Sequence, residues 1–594
     1  MKTALATGLA IALTLPAARG DAAGSKAIDD AMLGELETEL KRGVESLSVP
    51  DEPAPYFISF KLTEVEVNDV ASSLGAAMAK RERHFMNLDA NVHVGDYEFD
   101  NSNFVFPRQE LIDGLASITL PLEATPKIAR KAAWLATDAA FQEALAQYTA
   151  KKANRQRQAT TGATVPSYSK EPPLVKMDPV KVPALEDNDT LEKAANDVSA
   201  VFRDIDSVRE SHVAYTSFLE RRWYLNTEGT RAHDVRRVSG VIIVATARAE
   251  DGELLSVYAS HYGKTMADLP DVDALKKQAR ELGKLLDEMR TAPPIGNYTG
   301  PVLFEGEGAP AITRLTLAPQ LSGTPVPDGV DAAQYLGGEF TERIGLRVVS
   351  PLLSVYDDPT ATKAGKQPLI GGFRFDDEGV APRRVDVIKN GKLETLLMSR
   401  TPSAQLKQSN GHARRTGTGT LHGSTTNLFV SSNKGKSRAA LRKALVAEAK
   451  SQGLDYAIVI QQLDDPVITA NGEVASRELY DELQSRQKLD MPQTNVAYRL
   501  YTNGKLELIR GVQLRNVPVR AWRDVTGVGK APEVTNYLAT TDDGVLLRLR
   551  GGGDGFVPSA GIESATVAPD LLFRELDIQR TPSSLIPPPT VPKP

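Results

Sequence analysis

Hydrophobic and polar positions divide the first part of the chain into helical and strand-forming segments. Residues 26–47 carry apolar positions at helical spacing, and the alternation over residues 56–67 predicts a half-exposed strand. Residues 85–99 predict a further strand with turns. The alanine-rich segment from Pro126 predicts a long helix, because proline is favoured at the first helical position. Residues 24–154 therefore predict a domain of helices and strands.

The pattern changes over residues 155–190, which are rich in Pro, Ser and Thr and lack a helical period, as in a linker or a long loop. Residues 191–296 then predict a helix and three or four antiparallel strands, with turns at 226–229 and 250–252. An amphipathic helix that Asp273 can cap closes this middle region.

Residues 297–580 are rich in strand patterns. Asn-Gly turns at 390–391 and 503–504 predict two hairpins. One amphipathic helix is expected, with Ser437 at its N-cap and Gly453 just past its C-terminus. The expected fold class is α+β: an N-terminal α/β region followed by a large C-terminal domain of antiparallel strands with a few packed helices.

The sequences of the two chain termini do not predict packed structure. Residues 4–18 form an apolar run followed by small residues, which is typical of an export signal cut near Gly20 or Ala23. The run is shorter than the ~20 residues that a membrane span needs. We therefore expect a signal peptide over residues 1–23 and a periplasmic or extracellular protein without a membrane span. The proline-rich tail, residues 581–594, is expected to be disordered.

Composition limits the classes of function. The chain has 594 residues, is 41% hydrophobic and 25% charged, and carries a net charge of −6. A soluble globular protein fits these values. Nucleic acid is not expected as a partner, because it selects basic surfaces. The chain contains no cysteine, so it has no disulfide and no thiolate metal ligand.

The stretch "GPVLFEGEGAPAITRL", residues 300–315, predicts a buried strand that turns directly into a helix. The turn offers Glu305, Gly306 and Glu307, without a histidine, cysteine or serine. Carboxylates in a first helical turn are stabilised by the helix dipole, and Pro310 suits a first turn. The alternative is a catalytic acid–base pair, which requires a geometry that the sequence does not show.

Other candidate chemistry is sparse. No two of the seven histidines stand at the spacing that places two zinc ligands on one helical face; they are His84, His93, His212, His233, His261, His412 and His422. "KGKS" (434–437) lacks the first glycine of a phosphate loop and is interpreted as a turn with an N-cap. "SYSK" (167–170) has Ser-x-x-Lys spacing but lies in the predicted linker. "FDDEG" (375–379) suits a hard cation or a solvated turn.

Several ordered segments resemble the TldD/PmbA family, the "modulator of gyrase" metalloprotease-like proteins. They are "YLNTEGTR", "GPVLFEGEGAPA", "RIGLRVVSPLLSVYDDPT", "FRFDDEGVAPRRVDVIKNGKLETLLMSRTPSAQ", "TTNLFVSSNKGKSRAALRKAL" and "SATVAPDLLFRELDIQR". The resemblance covers most of residues 224–580 and is faint before them. It rests on the six pieces standing in the same order.

The resemblance implies a degenerate zinc site. In active TldD-like members, the helix after this strand carries His-Glu-x-x-x-His, and a downstream cysteine adds a ligand. Here the matching positions are expected to be Glu305, Gly306, Glu307 and Pro310, and the chain has no cysteine. The sequence is similar to the PmbA-like (TldE-like) members that lost the motif, so we expect no catalytic residue, no metal and no cofactor.

The resemblance also implies a two-fold dimer with a cavity between subunits. We expect a silent subunit that binds or guides unfolded peptide for a zinc-bearing TldD-like partner, or else a homodimer. An active peptidase that uses carboxylates or scattered histidines, and a peptide-binding scaffold that acts alone, are the alternatives.

Overall fold

The computed structural model describes residues 30–104, 115–158, 165–329, 339–415, 421–465, 493–539 and 561–580, together with Ile28 and Ile468. The predicted signal peptide and the predicted disordered tail lie outside these residues and stay predictions. Within the described ranges, every helix is too short or too polar to cross a membrane.

The long helices lie where the apolar spacing predicts them. The α-helices of the described residues are α1 (Asp30–Ser46), α2 (Pro126–Gln158), α3 (Asn188–Ser199), α4 (Val272–Thr291), α5 (Gly308–Ile312) and α6 (Arg438–Ser451). Ser437 caps α6 by accepting from the Ala440 N–H, and Gly453 has a φ of 72°, so both expectations for this helix are confirmed. The expected cap of α4 is wrong by two residues, because Asp271 and not Asp273 accepts from the Ala274 N–H.

A first sheet joins the predicted N-terminal and middle regions. Its strands are β1 (Pro55–Ser73), β2 (Ala76–Val94), β3 (Leu115–Leu120), β4 (Val175–Lys176), β5 (Glu210–Asn226), β6 (Arg231–Arg248) and β7 (Leu254–Gly263). Their order is β3-β2-β1-β5-β6, and β6 also pairs with β4 and β7. Part of the predicted linker or loop, residues 165–187, is therefore attached to this sheet through β4. The predicted domain boundaries stay predictions.

A second sheet forms the C-terminal region. Its longer strands and the short ribbons beside it are β8 (Tyr298–Phe304), β9 (Ser354–Asp357), β10 (Lys363–Ala364), β11 (Gln367–Pro368), β12 (Val385–Lys389), β13 (Lys392–Leu393), β14 (Ala413–Arg414), β15 (His422–Gly423), β16 (Asn427–Ser431), β17 (Tyr456–Leu463), β18 (Thr494–Tyr501), β19 (Leu506–Ile509), β20 (Val512–Asn516), β21 (Val525–Ala539) and β22 (Ile562–Arg580). The sheet order is β13-β12-β9-β16-β22-β8-β17-β18-β19, with β20 and β21 paired to β22.

Most of these strand pairs are antiparallel, and both predicted Asn-Gly hairpins are confirmed, as β12–β13 and β18–β19. In the first hairpin, Asn390 and Gly391 have φ values of 47° and 83°, the left-handed pair that a tight two-residue turn requires. Helices combined with mostly antiparallel sheets confirm the expected α+β class.

Separate apolar clusters hold these layers together. Helices α1 and α2 pack on β1 and β2, while α3 and α4 pack on β5, β6 and β7. The largest cluster encloses β8 and α5 in the C-terminal region, with Phe304 and Ile312 fully buried. Strand β7 contacts the C-terminal region directly, because the Tyr258 hydroxyl donates to the Leu463 carbonyl at 3.0 Å. The connection from β8 to α5 therefore lies close to the first sheet.

Candidate functional site

The connection between β8 and α5 is built from two glycines with different roles. Gly306 has a φ of 55°, a left-handed conformation that glycine adopts without strain. Gly308 has no such φ, but a Cβ there would lie 2.7 Å from the Ile460 carbonyl oxygen. The Glu305 N–H donates to that same oxygen at 2.9 Å. This turn therefore needs close backbone contact with β17.

The helix begins later than expected. α5 begins at Gly308 and continues as a π-helical turn (Thr313–Leu317) and a 3₁₀ turn (Ala318–Leu321). Glu305 and Glu307 precede it, so the expectation that both lie in its first turn is wrong. Pro310 does lie in the first turn, where its missing N–H removes no helical hydrogen bond.

Glu305 is fixed by an ion pair and not by the helix dipole. Its side chain is buried, and Arg442 on α6 donates from Nε to Oε1 at 2.7 Å and from Nη2 to Oε2 at 2.6 Å. Two parallel hydrogen bonds from one guanidinium form the strong bidentate arrangement. Both carboxylate oxygens of Glu305 are therefore used to bind α6.

A second pair lies one helical turn away on α6. Arg438 donates from Nε and Nη2 to the two carboxylate oxygens of Asp570 at 2.8 and 2.9 Å. Asp570 also accepts from the Gly306 N–H at 3.1 Å. The two arginines of α6 therefore fasten the β8–α5 connection from the same side. Glu307 accepts instead from the Gln462 side-chain amide at 2.8 Å.

The charged residue of the helical segment 308–321 is Arg314, which sequence reasoning missed. Its guanidinium donates to Asp465 at 2.9 Å and lies 4.7 Å from the centre of the Tyr537 ring. Burial lowers the pKa of Arg314, but the charge of Asp465 and the nearby Tyr258 outweigh it and raise the pKa. The side chain stays protonated. One feature of the sequence could have identified Arg314 as a site residue, because it is the single charged residue of 308–321.

The residues of this helix do not fit a zinc centre. Zinc in proteins is held by His, Cys, Asp or Glu, and residues 308–321 contain none of these. The helical segment instead carries the positive charge of Arg314, which opposes a second cation. The carboxylates beside the helix are already engaged: Glu305 accepts both hydrogen bonds of Arg442, Glu307 accepts from Gln462, and Asp465 accepts from Arg314. No catalytic step is therefore assigned to a metal at this helix.

The histidines have separate environments. His84 contacts Glu64, His93 contacts Asp100, and His261 contacts Gln278. Among the described residues, one group brings three possible ligand atoms within 4.8 Å of one another; it consists of Glu64, Glu66 and His84. Arg221 donates to both of these carboxylates, at 2.5 Å to Glu66 and 3.4 Å to Glu64. An arginine already supplies the positive charge there.

The acidic segment after Phe375 is neither a solvated turn nor an open cation site. Asp376 is buried and accepts from the backbone N–H groups of Glu378, Val380 and Ala413 at 2.9 to 3.0 Å. Asp377 pairs with Arg222 on β5 at 2.9 Å. This pair ties the segment to the first sheet, so its carboxylates are structural.

Glu378 completes this segment as a buried carboxyl, and it accepts from the Arg400 N–H at 2.6 Å. Burial, and then the charge of Asp376, raises the pKa of Glu378.

The short motifs "KGKS" (434–437) and "SYSK" (167–170) also have structural roles. Ser437 is the N-cap described above, and Ser167 is a buried serine that accepts from Lys151 at 3.1 Å.

Comparison with known families agrees with this architecture. Residues 296–466, which include the β8–α5 connection, match the family described as "PmbA/TldA metallopeptidase C-terminal domain". Residues 178–287, which include β5 to β7, match the family described as "PmbA/TldA metallopeptidase central domain".

Two archaeal relatives are described as metalloproteases. The one from Methanocaldococcus jannaschii is 29% identical over 126 residues, which are 20% of this chain and 26% of the relative. The one from Methanothermobacter thermautotrophicus is 24% identical over 266 residues, or 43% of this chain and 52% of the relative. The chain thus spans about half or less of the length of these relatives.

Solved structures share the fold over nearly the whole chain. TldE from Thermococcus kodakarensis aligns with a TM-score of 0.58 at 12% identity, covering 92% of this chain and 99% of its own. A Bacteroides thetaiotaomicron protein described as a modulator of DNA gyrase aligns with a TM-score of 0.57 at 13% identity, covering 93% of this chain and 100% of its own. At these identities the likeness concerns the fold alone.

Proposed function

Because the chain belongs to the PmbA/TldD family of metalloprotease-like proteins, we propose that it is a catalytically silent member. In this proposal it is exported, binds unfolded peptide, and guides that peptide to a zinc-bearing TldD-like partner subunit. The metalloprotease descriptions belong to its relatives.

The observation that carries this proposal is the pairing of Arg314 with Asp465 on the helix that follows β8. The guanidinium of Arg314 is paired at 2.9 Å to the Asp465 carboxylate and lies over the Tyr537 ring. Residues 308–321 offer no side chain that could replace it as a metal ligand. Arg442 and Arg438 hold the β8–α5 connection in place through their pairs with Glu305 and Asp570.

The outer edge of β7 supports a role in peptide binding. The Tyr258 and Tyr262 carbonyls on this edge accept from the side-chain amides of Gln462 and Asn536 at 3.2 and 2.9 Å. A side-chain amide resembles a backbone amide, so an extended peptide can take over these hydrogen bonds by adding as a strand. Gln462 also donates to Glu307 at 2.8 Å, which places such a peptide next to the β8–α5 connection.

Export rests on the sequence alone. The apolar run over residues 4–18 and the small residues after it support secretion. An exported chain would meet peptides outside the cytoplasm and would not meet DNA gyrase, despite the name that some relatives carry.

Peptide hydrolysis by separate and mixed subunits tests the proposal. The mature chain, a zinc-bearing TldD-like protein of the same organism, and their mixture are each incubated with casein and short unfolded peptides, with and without chelator. We expect no cleavage by this chain alone and faster, chelator-sensitive cleavage by the mixture. Chelator-insensitive cleavage by this chain alone would reveal a working enzyme. Failure of the two proteins to associate in sedimentation would leave a stand-alone binding protein.

A further inference from the structure

The C-terminal region contains a cleft with a mixed polar and apolar lining. Its volume is about 380 Å³, at the lower end of the ~300–1,000 Å³ that is typical of small-molecule sites. The cleft lies between the segment that leads into β12, residues 395–398 after β13, and residues 405–410. Two cations, two side-chain amides and two apolar side chains line it; they are Arg383, Lys407, Gln405, Gln408, Met398 and Leu406.

Neither cation of the cleft forms an ion pair within the described part of the chain. Arg383 donates from Nη2 to the Ser409 carbonyl at 2.8 Å, and Lys407 donates from Nζ to the Ser403 carbonyl at 3.1 Å. Each cation keeps further N–H donors, and none of the residues that line the cleft is acidic. The cleft therefore holds two positive charges that an anionic ligand can neutralise.

The walls of the cleft are held mainly by buried hydrogen bonds. Asn410 is buried, its Oδ1 accepts from the Met398 N–H at 2.8 Å, and its Nδ2 donates to the Leu396 carbonyl at 2.8 Å. The loop between these walls is closed by the Ser403 N–H, which donates to the Leu406 carbonyl at 2.8 Å. Groups that are in place before a ligand arrives lower the ordering cost of binding. The shape of the cleft should therefore survive the removal of either cation.

We propose that this cleft binds an α-carboxylate that carries an aliphatic side chain. The planar guanidinium of Arg383 can donate two parallel hydrogen bonds to a carboxylate, and the ammonium of Lys407 adds a second positive charge. Met398 and Leu406 offer apolar contact to the aliphatic side chain. The two glutamine amides both donate and accept hydrogen bonds, which suits the amide of a preceding residue. The C-terminus of a peptide and a free amino acid share this chemistry.

The cleft lies at the other end of the helical segment 308–321 from the β8–α5 connection. Leu321 ends that segment, and its carbonyl accepts from the Leu397 N–H at 2.8 Å, one residue before Met398 in the wall. The inference extends the proposed function, and rests on it, only where the carboxylate belongs to a peptide. Binding is measured on this chain alone, so its failure is distinguishable from a failure of hydrolysis by the mixed subunits.

Calorimetric titration of the full chain at fixed ionic strength tests the ligand class. The probes are the tripeptide Ala-Ala-Leu, the same tripeptide with a C-terminal amide, leucine, and inorganic phosphate. We expect the free acid to bind, and the amide to bind about tenfold more weakly or worse, because it loses the charge-assisted hydrogen bonds. Binding of the tripeptide without leucine assigns the cleft to peptide C-termini, and comparable binding of leucine assigns it to free amino acids.

Charge-removing variants locate the site. Arg383→Gln should raise the dissociation constant of Ala-Ala-Leu by about tenfold or more, and Lys407→Gln by less, because an ammonium makes no bidentate contact. Arg384→Gln is the matched control, since it removes the same charge one residue away but from a guanidinium that is already paired with Asp386 at 2.8 Å. It should leave the dissociation constant unchanged. Circular dichroism checks that each variant is folded.

Several results would overturn the proposal. They are equal binding of the acid and the amide, phosphate binding as tight as that of the tripeptide, and no binding of either the tripeptide or leucine. Equal losses in Arg383→Gln and Arg384→Gln would do the same. Lys407 is exposed, so Lys407→Gln should fold even if Arg383→Gln does not, and an unchanged dissociation constant in this variant would also contradict the proposal.

Discussion

Arg442 donates two parallel hydrogen bonds to the buried carboxylate of Glu305, at 2.7 and 2.6 Å, across 137 residues of chain. One partner is fully buried, and the arginine side chain is 31% exposed. The pair fastens α6 to the point where β8 turns into α5. The local geometry of the candidate site therefore depends on a contact between two remote segments.

Removal of this arginine should destabilise the fold. Arg442→Met leaves the Glu305 carboxylate buried without its partner. We expect the free energy of unfolding to fall by about 2–3 kcal/mol, below the usual cost of a broken buried pair because the arginine is partly exposed. Urea denaturation measures the change.

Arg438 provides the matched control, one turn away on the same helix and 51% exposed in its pair with Asp570. Arg438→Met should lower the free energy of unfolding by less, about 1 kcal/mol. The double variant Glu305→Gln/Arg442→Met should recover part of the loss, because no unpaired charge remains. Equal losses for the two arginines would contradict this account of Glu305.

The two glycines of the β8–α5 turn should respond differently to the same substitution. Gly306→Ala meets open space, so its cost is the left-handed φ alone, about 1 kcal/mol. Gly308→Ala places a methyl group 2.7 Å from the Ile460 carbonyl oxygen and must move backbone, which we expect to cost about 3 kcal/mol. Thermal unfolding compares the two. A larger loss for Gly306→Ala would show that the turn is held by strain and not by contact with β17.

Local signals account for the parts of the fold that the sequence predicts. Helical spacing locates α2, α4 and α6, and Asn-Gly pairs locate two hairpins, because these patterns act over a few residues. The joining of β1 to β5 in one sheet is a contact between segments more than a hundred residues apart, and no local pattern reports it.

The candidate site shows the same limit. Glu305 and Pro310 are visible as a strand–helix connection, but the arginine that holds Glu305 is not. Arg314 and its partner Asp465 stand 151 residues apart. An acidic run such as Asp376 and Asp377 looks solvated in sequence, and only the fold reveals the backbone donors and the arginine that bury it.

Stability should depend on pH through Glu378. Burial and then the charge of Asp376 raise its pKa, while Arg400 opposes the rise. A carboxyl whose pKa is raised by folding binds more protons folded than unfolded, so stability is lost as pH rises above its ordinary range, about pH 4 to 5. Glu378→Gln removes that titration.

We therefore expect Glu378→Gln to gain stability relative to the wild type as pH increases, by about 2 kcal/mol near pH 8. Denaturation at a series of pH values from 4.5 to about 8 measures the difference. Glu52→Gln, which changes an exposed carboxylate, serves as control and should show no such trend. If the stability of Glu378→Gln instead falls relative to that of the wild type as pH rises, Glu378 is held ionised by Arg400.

The purified chain should hold no stoichiometric zinc. Residues 308–321 carry Arg314 and no ligand side chain, and Glu305 is occupied by Arg442. Structural or catalytic zinc needs three or four converging ligands. The group of Glu64, Glu66 and His84 is the one place among the described residues where three possible ligands converge, and Arg221 already neutralises its carboxylates.

Elemental analysis after dialysis against metal-free buffer tests this expectation, with a zinc-bearing TldD-like protein treated in parallel as the positive control. We expect well below one zinc per chain here and about one per chain in the control, because a complete ligand set holds zinc through dialysis and an incomplete one does not. The location of any retained zinc is decided by His84→Ala. Loss of one zinc per chain in that variant would place a metal on β1 and β2 of the first sheet and not on the β8–α5 helix, and would leave the assignment of Arg314 intact. Retention of one zinc per chain in His84→Ala would mean that ligands outside the described residues complete a site, and the silent-subunit proposal would then be wrong.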